Sequence, residues 1–164
     1  TRSPLAVLSL TAQSLKHNME ENQVIRNLNW IYYCQMVITL IVLTAMYFAW
    51  SKGLYEPLDT MSAFGQTVQY IIIFDALLTI PLGLYLVKWV KPQTYKQYFK
   101  CAAARILLAS NAMPLAIAAF YWMGCYRSML WVAAIAAIAW YFSKPTLGKM
   151  DAEMKPSDPN EEKY

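Results

Sequence analysis

Apolar residues in this chain come in blocks, not in alternation with polar ones. Four blocks stand out, at 29–50, 68–90, 101–125 and 128–142, with most charges gathered outside them. A helix crossing a bilayer needs about 20 predominantly apolar residues, and the first three blocks exceed that length. The fourth is shorter and reaches a span by drawing on Cys125, Tyr126 and Lys144 at its flanks. The pattern predicts an all-α integral membrane protein, a four-transmembrane-helix bundle with spans near 29–50, 68–90, 101–125 and 126–143.

Aromatic residues mark the same boundaries. Trp30, Tyr32 and Tyr33 open the first span, and Tyr47, Phe48 and Trp50 close it. Tyr85 and Trp89 end the second, Phe120, Tyr121 and Trp122 the third, and Trp140, Tyr141 and Phe142 the fourth. Amphipathic rings settle at headgroup level, so the placement fits interfacial anchors, with packing as the other use of such rings.

Charge then orients the bundle. The link between spans two and three carries Lys88, Lys91, Lys96 and Lys100 with no acid among them. The first link sets Lys52 against Glu56 and Asp59, and the last offers only Arg127. Cations favour the cytoplasmic side, so both termini and the middle link are expected in the cytosol, and the membrane is expected to be the plasma (cytoplasmic or inner) membrane. The net charge of +4 is thereby explained by topology, and no nucleic-acid partner is expected. The lysine-rich link, with Arg105 just beyond it, reads as a lipid-headgroup contact.

Outside the spans, residues 1–28 read as an N-terminal tail or interfacial helix begun at Ser3-Pro4, and Met19-Glu-Glu-Asn has the form of a possible start. From residue 144 to 164, prolines and acids predict a mobile cytosolic tail. Cys34 and Cys101 fall at cytosolic ends, where thiols stay reduced, and Cys125 has no partner on its own side, so no disulfide is expected.

Candidate chemistry is sparse. Asp75 is a lone carboxylate inside an apolar run, and such a group is costly in hydrocarbon unless protonated, paired or wetted. At about 1.5 Å per residue it lies roughly 10 Å below the outer face, some 13 Å from the depth of Arg105. A buried Asp75–Arg105 pair is therefore disfavoured, and Arg105 is expected to snorkel to the headgroups. A second grouping survives the same arithmetic. Thr79 shares the Asp75 face, Pro81 and Pro114 break helical hydrogen bonding, and Ser110, Asn111, Thr39 and Thr44 reach comparable depths. Together they are a candidate intramembrane polar cluster, either a small wet cavity or a knot between helices. Ala112 and Ala116, with Ala133 and Ala137, have the small-residue spacing that lets helices approach closely.

Much is missing. The single histidine, His17, precedes the spans, and no metal-ligand set, phosphate cradle or nucleophile–base arrangement is present. No catalytic residue, metal or cofactor is expected, and the balance is against an enzyme. The leading expectation is a small multi-pass protein serving as accessory or scaffold subunit of a membrane complex. The alternatives are a small oligomeric proton- or cation-coupled transporter using Asp75, and a lipid-binding protein using the lysine-rich link. Expected partners are the lipid bilayer and either further copies of the chain or a larger complex.

Overall fold

The computed structural model of the chain describes residues 4–154, so the expectations for 1–3 and for the end of the tail, 155–164, lie outside the described residues. Described elements are all helical: α1 Pro4–Ser51, α2 Ala63–Val90, α3 Tyr95–Trp122, α4 Arg127–Phe142 and α5 Leu147–Met154. Three of them are long and apolar enough to cross a membrane, or four if α4 and α5, bent by 77°, count as one span.

α1 differs from its expectation. Hydropathy starts the first span at 29, with a separate segment before it, yet the helix runs unbroken for 48 residues. No glycine or proline occurs between Pro4 and Gly53, so nothing in the polar stretch 16–29 interrupts the ladder. Pro4 suits a first helical position, and Gly53, at φ 62°, supplies the left-handed turn that stops the helix. The described side chains from Gln13 to Glu20 are exposed, and the wall of the bundle begins where Val24, Ile25 and Leu28 meet the first turns of α3.

The other helices stop for equally local reasons. Ser62 caps α2 by accepting the Gly65 N–H at 3.0 Å. At its far end Lys91 turns left-handed (φ 46°) and Pro92 forbids continuation. The link between α3 and α4 is only residues 123–126, where Gly124 and Cys125 are both left-handed, so the two helices fold back against each other. Leu58 from the first loop donates its N–H to the Trp122 carbonyl at 2.8 Å, which ties that loop to the α3 terminus.

α3 is the centre of the assembly, packing against α1, α2 and α4. The core changes in grain along its length. At the end carrying the lysines, here the basic end, Leu28, Tyr32, Val87, Tyr98, Ala102, Ile106 and Met150 fill the interior. The middle is built largely from alanines: Ala76, Ala109, Ala112, Ala136 and Ala139, with Ile80. Met123, Met129 and Ala119 close the opposite end. Small side chains at the waist bring backbones together, most closely at Gly83, where an added Cβ would lie 2.9 Å from the Ala109 nitrogen.

Tyr32 belongs to this packing. It is buried and stacked on Trp140 of α4, with centroids 4.3 Å apart and planes 11° from parallel. Trp140→Ala is expected to cost about 3 kcal/mol, read as a lower thermal midpoint in detergent. Trp140→Phe should cost clearly less, because it keeps a stacking ring and removes an indole N–H that is enclosed without an acceptor. Equal losses in the two variants would show that the stack contributes little.

Candidate functional site: polar groups inside the bundle

The expected polar cluster is not a cluster. Thr79 is buried, but its hydroxyl donates to the Asp75 backbone carbonyl at 2.8 Å, not to the carboxylate. Ser110 donates to the Ile106 carbonyl at 2.6 Å, and Thr39 to the Gln35 carbonyl at 2.9 Å. Thr44 does the same with Leu40 at 2.8 Å and is exposed. A hydroxyl has one proton to donate, and each of these four spends it one turn back on its own helix. Asn111 is exposed on the outside of α3. Pro81 is exposed too, and Pro114 is half-buried, so neither break opens toward a shared polar space.

Asp75 itself is half-buried. Its Oδ2 is enclosed and has no hydrogen-bond partner. On α2 it falls between Ile72, which packs toward Met123 and Met129, and Ala76, which packs into the alanine waist. Among the described residues, no three of His, Cys, Asp and Glu converge on a point that would hold a metal ion.

The well-defined polar centre lies elsewhere, at the basic end. Arg105, expected to reach outward to headgroups, is 4% exposed. Its Nη1 donates to Glu153 Oε1 of α5 at 2.6 Å. Desolvating a guanidinium is expensive, and a carboxylate within hydrogen-bond distance offsets that cost where headgroups do not reach. Tyr98 is fully buried among these groups, its hydroxyl within reach of both Glu153 and Arg105 yet without a well-aligned partner.

The partner of Arg105 is present because the expected mobile segment after residue 144 is partly a helix. Thr146 caps α5, its Oγ1 accepting the Lys149 N–H at 3.4 Å, and Met150 is buried in the basic-end core. Lys149 in turn donates its ammonium to the Phe142 carbonyl at 2.5 Å, a cation satisfying the open C-terminus of α4. Burial, and after it the Arg105 charge, pushes the Lys149 ammonium below the usual lysine range, while Glu153 opposes the shift. The sequence did hold a signal for α5: Leu147, Met150 and Met154 share one helical face directly after a Pro-Thr start.

Lys88, Lys91, Lys96 and Lys100 are all exposed around the same end. An apolar cleft lies on the outer surface. Of about 410 Å³, it is lined by Met36, Leu40, Met113, Ile138 and Tyr141, between α1 and the α3–α4 pair.

These features define an all-helical protein with three or four helices of membrane-crossing character. Comparison takes the assignment no further: no protein family, curated protein or solved structure matches the chain.

Proposed function

We propose that the chain is a non-enzymatic accessory or scaffold subunit of a larger membrane complex, with four spans in a cytoplasmic or inner membrane and both termini in the cytosol. The observation that carries this reading is the bareness of α1. Only 11% of its most apolar window is buried, against 28% in α2 and 39% in α3. Ile38, Leu40, Ile41, Tyr47 and Phe48 are all exposed, and an apolar cleft of about 410 Å³ opens beside Leu40. Lipid alone would cover such a face, but two further features favour protein. α4, with 16 residues, is only about 24 Å long, shorter than a hydrocarbon core of about 30 Å, and such mismatch drives association. At the other extreme, Pro4–Met19 adds about 24 Å of helix, and its described side chains, from Gln13 onward, are exposed.

A photo-crosslinker placed at Ile41 in native membranes tests this. Transfer to one foreign membrane protein in near-stoichiometric yield is the expected result; labelling of lipid alone contradicts it.

The transporter reading has one observation in its favour, the enclosed and unpartnered Asp75 oxygen. It requires pH-dependent ligand binding that disappears in Asp75→Asn. On the accessory reading, that substitution leaves function intact and loosens helix packing by about 1 kcal/mol. Abolished function at unchanged thermal stability would overturn the accessory reading.

A further inference from the structure

The basic-end centre around Arg105 plays no part in the accessory reading and points to a ligand of its own. A guanidinium has five N–H donors, and its Nε and Nη2 edge presents two parallel donors matched to a pair of phosphate or carboxylate oxygens. Glu153 engages only Nη1, through one oxygen. Nε and Nη2 are both enclosed and both without a partner. The Tyr98 hydroxyl, fully buried within reach of Glu153 and Arg105, becomes a further donor once Glu153 moves aside, and Glu153 Oε2 is the one enclosed acceptor set against these donors.

Charge leads to the same conclusion. Arg105 and Lys149 lie within each other's electrostatic reach and share one carboxylate, Glu153. The enclosed cation is Arg105, since Lys149 is only partly buried and rests on the Phe142 carbonyl, and an enclosed guanidinium paired through one nitrogen is costly. Buried donors in excess beside that cation call for an oxyanion. The cover over the site is slight. α5 has eight residues, follows a sharp break at 143–146, and is held by Met150, the Lys149 bond to Phe142 and the Glu153 ion pair.

We infer that Arg105 is a binding site for a phosphate oxyanion, held by the Nε–Nη2 edge and the Tyr98 hydroxyl, with α5 as a cover whose Glu153 carboxylate the ligand displaces. The shared chemistry is a phosphate group, supplied either by a phospholipid headgroup at the end of the bundle or by free phosphate.

The test uses the full chain in detergent, as wild type, Glu153→Gln and Arg105→Lys. Probes are phosphatidylglycerol, diacylglycerol as its phosphate-free counterpart, and inorganic phosphate, read by native mass spectrometry and thermal shift. Glu153→Gln removes the competing charge and is expected to tighten phosphate-group binding about tenfold. Arg105→Lys keeps the charge but loses the fork, and should weaken it by about tenfold or more. Amide exchange in α5 should rise when ligand binds. Retention of phosphatidylglycerol over diacylglycerol identifies the lipid source; saturable stabilisation by inorganic phosphate with no lipid preference identifies the free one. Either supports the site. Binding indifferent to both substitutions, or lost only when Lys88, Lys91, Lys96 and Lys100 are neutralised, overturns it. If Arg105→Lys does not fold, unchanged affinity in Glu153→Gln overturns it by itself.

Discussion

Gly83→Leu is expected to separate α2 from α3 and to cost about 3 kcal/mol of stability. The first carbon of any side chain at this position meets the Ala109 nitrogen at 2.9 Å, Leu108 Cβ at 3.1 Å and the Arg105 carbonyl oxygen at 3.2 Å. Two of the three are backbone atoms, which cannot rotate aside. Gly83→Ala sets two effects against each other. Alanine gains up to about 1 kcal/mol in helix propensity, while the contact forces the two helices apart at a cost of about 1–3 kcal/mol. The clash wins on these magnitudes, so Gly83→Ala is also expected to lower the thermal midpoint, by less than Gly83→Leu. Gly148 in α5 is the control, since an added Cβ there meets nothing within 4 Å. Gly148→Ala should be neutral or mildly stabilising. A Gly83→Ala variant as stable as Gly148→Ala would mean that the α2–α3 approach is looser than described.

The second large effect concerns the ion pair between Arg105 and Glu153. Their side chains are 5% and 20% exposed, so the two single substitutions are unequal. Glu153→Met strands a guanidinium with almost no access to water and should cost about 3–5 kcal/mol. Arg105→Met strands a carboxylate that retains some solvent contact, and should cost less. Replacing both by methionine removes two desolvation penalties together and is expected to recover most of the loss. A double-mutant cycle on thermal unfolding reads all three values. Additive losses, with no recovery in the double variant, would show that the two residues act separately.

Which features the sequence discloses follows from what hydropathy measures. Apolar blocks at 68–90 and 101–125 overlap α2 and α3, whose ends lie up to six residues away, because hydropathy reads the surroundings of a residue and not the end of its helix. The start of α1 was hidden since polarity changes at residue 29 while backbone propensity does not: the change marks where the surroundings alter, not where the helix ends. Arg105 shows a different failure. Its place near the end of a span suggested snorkelling, and its partner lies 48 residues away in a segment whose prolines and acids suggested disorder. Pairings at such separation are set by how helices pack, which composition does not record. The Asp75 cluster failed through local chemistry. Depth placed Thr39, Thr44, Thr79 and Ser110 together, but hydroxyls in helices find a carbonyl one turn back before they find each other. Alanine spacing was informative in kind, with Ala112, Ala116 and Ala133 buried, whereas Gly83, where α2 and α3 come close, was legible only as a glycine two residues after Pro81.

The accessory role requires that the exposed face of α1 be covered by another protein. Gentle extraction from the native membrane, followed by native mass spectrometry of the intact particle, tests that requirement most directly. A stoichiometric foreign subunit is the expected result, and the activity would then be sought in the complex. A bare monomer, or an assembly of this chain alone, would contradict the accessory role and turn attention to the titration of Asp75.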